Sequence, residues 1–537
     1  MTQMQNPATS VTFRSHEGVA ESSRPAAGGR HVGARGSERW VKVLDQTRCI
    51  GCHACTTACK SENEVPLGVT RTYVKSVDVG AYPNVRRAFQ VTRCNQCENP
   101  PCVSACPTGA MYQRADGIVD FDKKICIGCK ACMAACPYDA IFINPEDHSA
   151  EKCNFCAHRL EVGLEPACVT VCPTQAIFVG DLNDPESKVS KVINRTPVQV
   201  RRPEKETRPK LYYRGAHATT LDPLAAQSPR GSTYAWSQIP KVKQSINAGV
   251  ADGPHNSSAA AVISYDVAHS VPWGWRVSLY TWTKSLSAGA LLVPIVLYLA
   301  GIYSIRSNVL SVYGPITALL FLGLTGALLI WDLKHPFRFY LLFTHPQWKS
   351  WLVRGGYIIG GYGLVGVLLV LSGAIGSSNF EEVVSYIGIP FAAMTAVYTA
   401  FLFAQAKARD MWQSPLLAPH LLVQCVFGGS SILYVVLDLF NQPLSPWIDR
   451  TVTIAALVHL ALIVGEITAA HPTRHAHLAV RAMVRGRYRW YFWIGIVGVV
   501  VGALTPVLGL AGAVVGLVSL LAYEHSFVQA AQSVPLA

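Results

Sequence analysis

CIGCKACMAACP, residues 126–137, sets four cysteines at spacings of two, two and three residues and follows them with a proline. The same spacing occurs earlier as CIGCHACTTAC at 49–59, and variants follow as CNQCENPPCVSACP at 94–107 and KCNFCAHR…PACVTVCPTQAI between 152 and 177. Sixteen of the seventeen cysteines therefore fall into four quartets: Cys49, Cys52, Cys55 and Cys59; Cys94, Cys97, Cys102 and Cys106; Cys126, Cys129, Cys132 and Cys136; Cys153, Cys156, Cys168 and Cys172. Sixteen thiolates match four [4Fe–4S] cubanes at four ligands each. A run of such centres serves to carry single electrons over a distance.

The spacing also predicts which ligands share a cluster. Three cysteines at i, i+3 and i+6 wrap one cubane, and the fourth is carried off on a helical turn to the other cluster of its pair. With the outer quartets exchanging ligands and the inner quartets doing likewise, the sets are Cys49, Cys52, Cys55 with Cys172; Cys153, Cys156, Cys168 with Cys59; Cys94, Cys97, Cys102 with Cys136; and Cys126, Cys129, Cys132 with Cys106. Zinc is the competing metal, because CxxC pairs bind it, but it does not call for sixteen cysteines with prolines after the fourth. A three-iron cluster needs a missing ligand, and none is missing. Disulfides fit poorly with such tight spacing. Short strand-like runs follow the prolines, AIFI at 140–143 and AIFV at 176–179, as in a duplicated ferredoxin.

The chain has 537 residues, too many for one ordinary domain. Its halves differ in kind: cysteines and most of the charge come first, long apolar stretches second. The predicted organisation is a disordered tail at 1–40, a four-cluster ferredoxin-like domain at 41–220, a linker at 221–275 and a transmembrane domain at 276–532. The fold class expected is an α+β duplicated ferredoxin-like domain followed by an all-α bundle of eight transmembrane helices. A formal charge of +13 invites a nucleic-acid reading, but the basic residues sit in the segment from Lys191 to Arg214 and in loops flanking apolar spans. Membrane topology and anionic lipid heads account for that placement, and no nucleic acid is expected. No apolar export signal is visible in residues 1–40.

Eight apolar windows of spanning length are expected at about 279–303, 312–331, 355–376, 383–405, 417–440, 450–470, 489–509 and 511–528, with seven as the alternative because the last two are barely separated. Loop charge predicts orientation. Lys334, Arg338, Lys349, Arg354, Lys407, Arg409, Arg474, Arg481, Arg485, Arg487 and Arg489 lie on one side, against Arg306 and Arg450 on the other. The protein is thus expected to cross the cell's inner (plasma) membrane many times, with the cysteine domain in the cytoplasm.

Ionisable residues inside spans invite a functional reading. Tyr280, Lys284, Asp332, His335, His420, Gln424 and Glu466 come from several spans yet share the membrane level nearest the cysteine domain. A quinone or quinol there would find hydrogen-bonding partners, a proton source and apolar walls. Lys284, Asp332, His420 and Glu466 are expected to carry that chemistry, and Tyr280, Gln424 and His335 to bind the carrier. Lys407, Arg338 and His471 read better as interfacial anchors. A bis-histidine haem is disfavoured because His420 and His459 fall at unequal depths. His459 and Asp438 are candidates for a proton path, which makes a redox-driven proton-translocating module the alternative reading. Cys425, alone in its span, reads as a core residue. No nucleophile constellation, phosphate loop or dinucleotide fingerprint is present, so substrate conversion is expected on another chain.

The quartets, with CPTGA at 106–110 and CPYDA at 136–140, resemble the iron–sulfur subunits of membrane-bound molybdopterin oxidoreductases, the family of dimethyl sulfoxide, polysulfide and nitrite reductase electron-transfer subunits. The apolar half, with DLKHPFRFY at 332–340, resembles the NrfD/polysulfide reductase membrane anchors, which are haem-free and quinone-reactive. The resemblance covers roughly residues 40–215 and the spans. It implies a respiratory-chain role as electron-transfer subunit and a separate catalytic partner carrying a molybdenum or tungsten pterin. In that family the two parts are usually separate chains; here they are fused.

Overall fold

The computed structural model describes residues 38–227 and 261–537. Residues 1–37 of the expected tail and 228–260 of the expected linker lie outside them.

The cysteine domain is built from short elements. Its four-stranded sheet has Trp40–Asp45 at the centre, antiparallel to Ile177–Asp181 and parallel to Leu211–Arg214, with Val198–Gln199 at the edge. The expected strand after Pro173 is there. Two small hairpins follow the second and third quartets, Met111–Gln113 with Val119–Phe121 and Ile141–Ile143 with Ala150–Lys152. A second sheet joins Thr72–Val79 to Arg86–Arg93 and to Ala261–Tyr265.

That last strand corrects the expected linker at 221–275. AVISY is rich in β-branched and aromatic residues, a good strand sequence, and it pairs antiparallel with Thr72–Val79. Gln227 also bridges to it, donating its backbone N–H to Ala261 O (2.8 Å) and accepting from Ile263 N (2.9 Å). The chain therefore leaves the domain and returns at one place, and the domain extends through residue 265.

The second half is a helical bundle. Seven helices are long and apolar enough to cross a membrane: α1 Trp275–Leu299, α2 Gly314–Asp332 (entered through a π-turn at Val309–Tyr313), α3 Trp351–Ile375, α4 Ser378–Gln405, α5 Leu417–Leu439, α6 Pro446–Thr468 and, last in the chain, α8 Leu510–Gln532. Between the last two of these lies α7, Arg489–Ala503, the element expected to be a full span at 489–509. Its 15 residues reach about 22 Å at the usual helical rise, short of the ~30 Å hydrocarbon core. The helix breaks at Leu504, and one further turn, Thr505–Leu508, closes the gap to α8.

Leu320, Leu364, Ile454 and Val497 face outward as apolar surface, as a helix bundle in lipid requires. The most enclosed helices are α1 and α5. They meet backbone to backbone: a Cβ on Gly289 would sit 1.9 Å from Cys425 O, and one on Gly429 would sit 2.2 Å from Gly289 C. Cys425 is fully buried at this crossing, a packing residue as expected.

Candidate functional site

Each quartet closes on a short helix: Ala54–Glu62, Pro101–Ala105, Ala131–Ala135 and Ala167–Thr170 carry the third cysteines and lead to the fourth. The two CIGC turns share one backbone geometry. Gly51 and Gly128 have φ of 72° and 67°, and His53 and Lys130 have φ of 61° and 64°. The positive φ at the glycines turns the loop so that successive sulfurs face one centre.

The sulfurs meet across the quartets as well as within them. Cys49 lies in the field of Cys172 and Cys52. Asn63 Nδ2 reaches both Cys59 Sγ and Cys156 Sγ at 3.7 Å, and Cys59 also faces Cys153 and Cys168. Cys97 and Cys102 face Cys94 and Cys136. Cys129 faces Cys106 and Cys126. The four groups are also neighbours in series: Cys55 faces Cys168, Cys94 faces Cys153, and Cys132 faces Cys102.

Among the described residues no three cysteine, histidine or carboxylate side chains converge on a single metal ion. A zinc ion draws its thiolates to about 2.3 Å from one centre; Cys106, Cys126, Cys129 and Cys132 instead line a shared cavity of about 350 Å³, which fits a larger group. Burial pushes the Cys55 thiol up to about 11 and the Cys59 thiol to about 12, and a bound metal would favour their thiolates. Cys168 is different. Burial pushes it up, but Arg93 and Lys42 more than offset this and hold it below its ordinary value.

The quartet group of Cys106, Cys126, Cys129 and Cys132 rests on the bundle. Arg338 Nη1 donates to Lys123 O and Cys126 O (3.0 Å each), His335 N to Ile127 O (3.2 Å) and Gln347 N to Pro107 O (2.8 Å). Lys130 and Asp332 form an ion pair at 2.8 Å. Gly128 is required by this docking as well as by its φ, since a Cβ there would lie 2.4 Å from Lys334 Cβ. Asp332 and His335, expected beside the carrier, are instead docking residues. The reason is the loop after α2, which turns up against the cysteine domain rather than staying at the helix ends.

Trp273 links the two halves. Its Nε1 donates to Cys129 O (3.1 Å), and its ring stacks on Trp412, which stacks on Phe403 at 4.4 Å. Phe403 lines a cavity of about 300 Å³ together with Thr281, His420, Gln424, Tyr523 and Glu524. That volume is at the small end for a ligand pocket.

Around it the structure assembles four of the expected residues. His420 is buried between two α6 side chains, with Nδ1 3.4 Å from Glu466 Oε2 and Nε2 2.8 Å from His459 Nδ1. Gln424 is buried one turn further on, with Oε1 unpaired. Lys284 lies behind the wall, fully buried, donating to Ala396 O (2.6 Å) and within the field of Glu524. Tyr280, also buried, packs toward Tyr398 and Thr399 rather than into the cavity.

The unequal depth expected for His420 and His459 does not hold. Counting residues from the helix ends treats those ends as level, whereas His420 sits level with α6 between Glu466 and His459, seven residues apart, and its imidazole spans them. The two histidines bond to each other. Asp438 lies near the opposite end of α5.

Tyr523 and Glu524 join the site without having been expected there. Tyr523 OH donates to Glu466 Oε2 (3.4 Å). Both lie in LAYEHSF near the end of the last span, and a glutamate in that position was itself the signal.

Where the chain re-enters the bundle, His269 bridges Asp139 Oδ2 (2.6 Å from Nδ1) and Asp266 Oδ1 (3.1 Å from Nε2). Burial lowers its affinity for a proton, but Asp266 and Asp139 outweigh this and raise it to about 10. Its folded value exceeds the ~6.5 of an unfolded chain, so the bridge contributes fully below about pH 6.5 and is lost as pH rises through about 10. The thermal midpoint is expected to fall over that window, and His269→Asn to flatten the fall. An unchanged slope in the variant would refute the assignment.

Residues 85–182 match the 4Fe-4S dicluster domain model, and residues 265–523 match the model for polysulphide reductase, NrfD. The B subunit of tetrathionate reductase from Salmonella typhimurium is 41% identical over 225 residues, which is 41% of this chain and 88% of the relative. The B component of polysulfide reductase from Wolinella succinogenes is 45% identical over 179 residues, 33% of this chain and 94% of the relative. Protein NrfC of Escherichia coli is 44% identical over 177 residues, covering 32% and 79%. These matches, on top of the cysteine geometry, place the protein in the iron–sulfur subunit family of tetrathionate, polysulfide and dimethyl sulfoxide reductases, joined here to a multi-pass NrfD-type membrane domain.

Proposed function

We propose that this chain is the electron-transfer and quinone-reactive subunit of a larger oxidoreductase, working between the membrane quinone pool and a separate catalytic chain that bears a molybdenum or tungsten pterin. The single observation that carries this reading is continuity. Neighbouring groups of sulfurs run from Cys52 at the surface inward, and the one nearest the bundle sits on Trp273, whose aromatic stack leads to a cavity lined by His420, Gln424, Tyr523 and Glu524.

Four [4Fe–4S] clusters are assigned to the crossed ligand sets derived from the spacing, within a duplicated ferredoxin plan. When bound, such clusters carry single electrons; a quinone takes up two electrons and two protons to become quinol. His420, with Glu466 and Tyr523 behind it, is placed to give or take one proton at the carrier, and Glu524 the other. Gln424 offers an amide to a carbonyl, and Phe403, Leu421 and Phe527 exclude water. Lys284 balances charge at Glu524. Asp332 and His335 hold the membrane-proximal group against the bundle.

At the far end of the series Cys52 is the one exposed cysteine of the sixteen. Ile50, Leu67 and Val171 stand exposed in the loops beside its group, an apolar surface on which the catalytic partner would dock close to an electron entry point. The excess of Lys and Arg on that side of the bundle supports a cytoplasmic cysteine domain. Parity supports an eighth crossing by α7 and the turn after it: the chain enters α1 from the cysteine-domain side, and its last described residue returns there, with Lys75 Nζ donating to Ala537 O (2.9 Å).

A second reading, redox-driven proton translocation, is favoured by one feature. His459 is fully buried, bonded to His420 and unpaired at Nε2, on the side away from the cavity. Net proton movement in sealed vesicles during turnover would register it.

The test of the main reading is an iron count with potentiometric EPR and quinol-driven bleaching on the purified full chain. About sixteen irons, four titrating signals and bleaching by quinol are expected. Far fewer irons in an active chain, or clusters that quinol does not reduce, would overturn it.

A further inference from the structure

Two cations buried in the cysteine domain without a carboxylate partner converge on one sulfur. Arg93, 2% exposed, ends the strand Arg86–Arg93 and donates from Nη1 to Cys168 Sγ at 2.9 Å. Its Nε and Nη2 are also buried and meet no protein acceptor. Lys42, 1% exposed on the central strand, places Nζ 3.9 Å from the same sulfur and 4.0 Å from the centroid of the Phe155 ring. Charged groups left unpaired in a low-dielectric interior are costly, so two cations at one sulfur call for negative charge on Cys168 and on the group it would hold.

The other sulfurs differ in their direct donors, although Lys152, buried and bonded to Val119 O and Cys153 O, stands near Cys94 and Cys102. The sulfurs of Cys94, Cys106, Cys126 and Cys172 accept from the backbone N–H groups of Gln96, Met111, Ala150 and Ala176, all uncharged donors. Among the described residues, only Cys168 accepts from a charged side chain.

Resting on the four-cluster reading above, we propose that Arg93 and Lys42 set the reduction potential of the cluster held by Cys59, Cys153, Cys156 and Cys168. A buried iron–sulfur cluster with four thiolates is already anionic, and low dielectric penalises one more electron. Charged N–H donors at the sulfur favour the reduced form and raise the potential. The two cations keep this second member of the series from becoming a barrier between its neighbours. Neither residue moves electrons; both act on the cluster through its sulfur and its field.

The experiment is EPR-monitored potentiometry on the purified full chain carrying Arg93→Gln, Lys42→Met or Arg93→Lys. In R93Q one of the four midpoints should fall by at least a tenfold change in its reduced-to-oxidised ratio, about 59 mV for a one-electron couple. The same signal should fall in K42M, by less. R93K should return toward wild type, and the other three midpoints, including that of the neighbouring group whose Cys55 Arg93 also faces, should move by less at unchanged iron content. Unmoved midpoints in both neutral variants, or four midpoints shifting together, would overturn the proposal. If R93Q does not assemble, K42M decides alone; if neither takes up iron, the pair is structural and the proposal falls. A wild-type chain lacking the four signals would instead count against the cluster assignment itself.

Discussion

His420→Ala is expected to leave iron content and all four cluster signals intact while slowing quinol-driven bleaching by about 10²–10⁴-fold, the usual contribution of a positioned acid–base group. Three facts converge on this residue. It lines the cavity, it is the only imidazole there among the described residues, and it joins Glu466 to His459. Removing it breaks both links and leaves two buried polar groups short of a partner, at roughly 1–3 kcal/mol each. Stopped-flow absorbance on the detergent-purified chain reads the rate, and iron content controls for folding. His420→Gln keeps hydrogen-bonding capacity without a titrating ring; it should fold better than the alanine variant and remain slow. Near-wild-type bleaching in both variants would move the carrier site elsewhere.

Cys132→Ala should cut the series at the membrane, with an effect at least as large. Cys132 belongs to the group that docks on α2 and Trp273, and it faces Cys102 of the next group. If the order is linear and the cavity adjoins this end, quinol should no longer reduce the three remaining clusters at an appreciable rate, although dithionite still does. Cys52→Ala, at the exposed end, should damage its own cluster and leave quinol bleaching of the other three unaffected. The pair of variants tests order as well as presence. Full bleaching in C132A, or loss of it in C52A, would mean that the path runs another way.

The cysteine pattern was legible because cluster ligation is local. Spacings of two and three residues fix which sulfurs one loop can present, and proline after the fourth fixes where the chain goes next. The strands at 141–143 and 177–181 were legible as short apolar runs. The strand at 261–265 was lost inside a polar stretch because its partner, Thr72–Val79, lies far away in sequence. Glu524 and Tyr523 carried their own signal, an ionisable residue at the end of an apolar span, but nothing in the sequence said that the last helix returns beside α5 and α6.

By itself the sequence determined the sixteen cysteines in their four quartets and a helical membrane half, because each follows from residue type at short separation. Only the tertiary structure decided which polar residues meet. It moved Asp332 and His335 to the docking surface, brought His459 onto His420, and set Arg93 and Lys42 on one sulfur of the sixteen. Helix stagger, loop direction and the docking of one domain on the other fix those positions, and they depend on contacts between segments far apart along the chain.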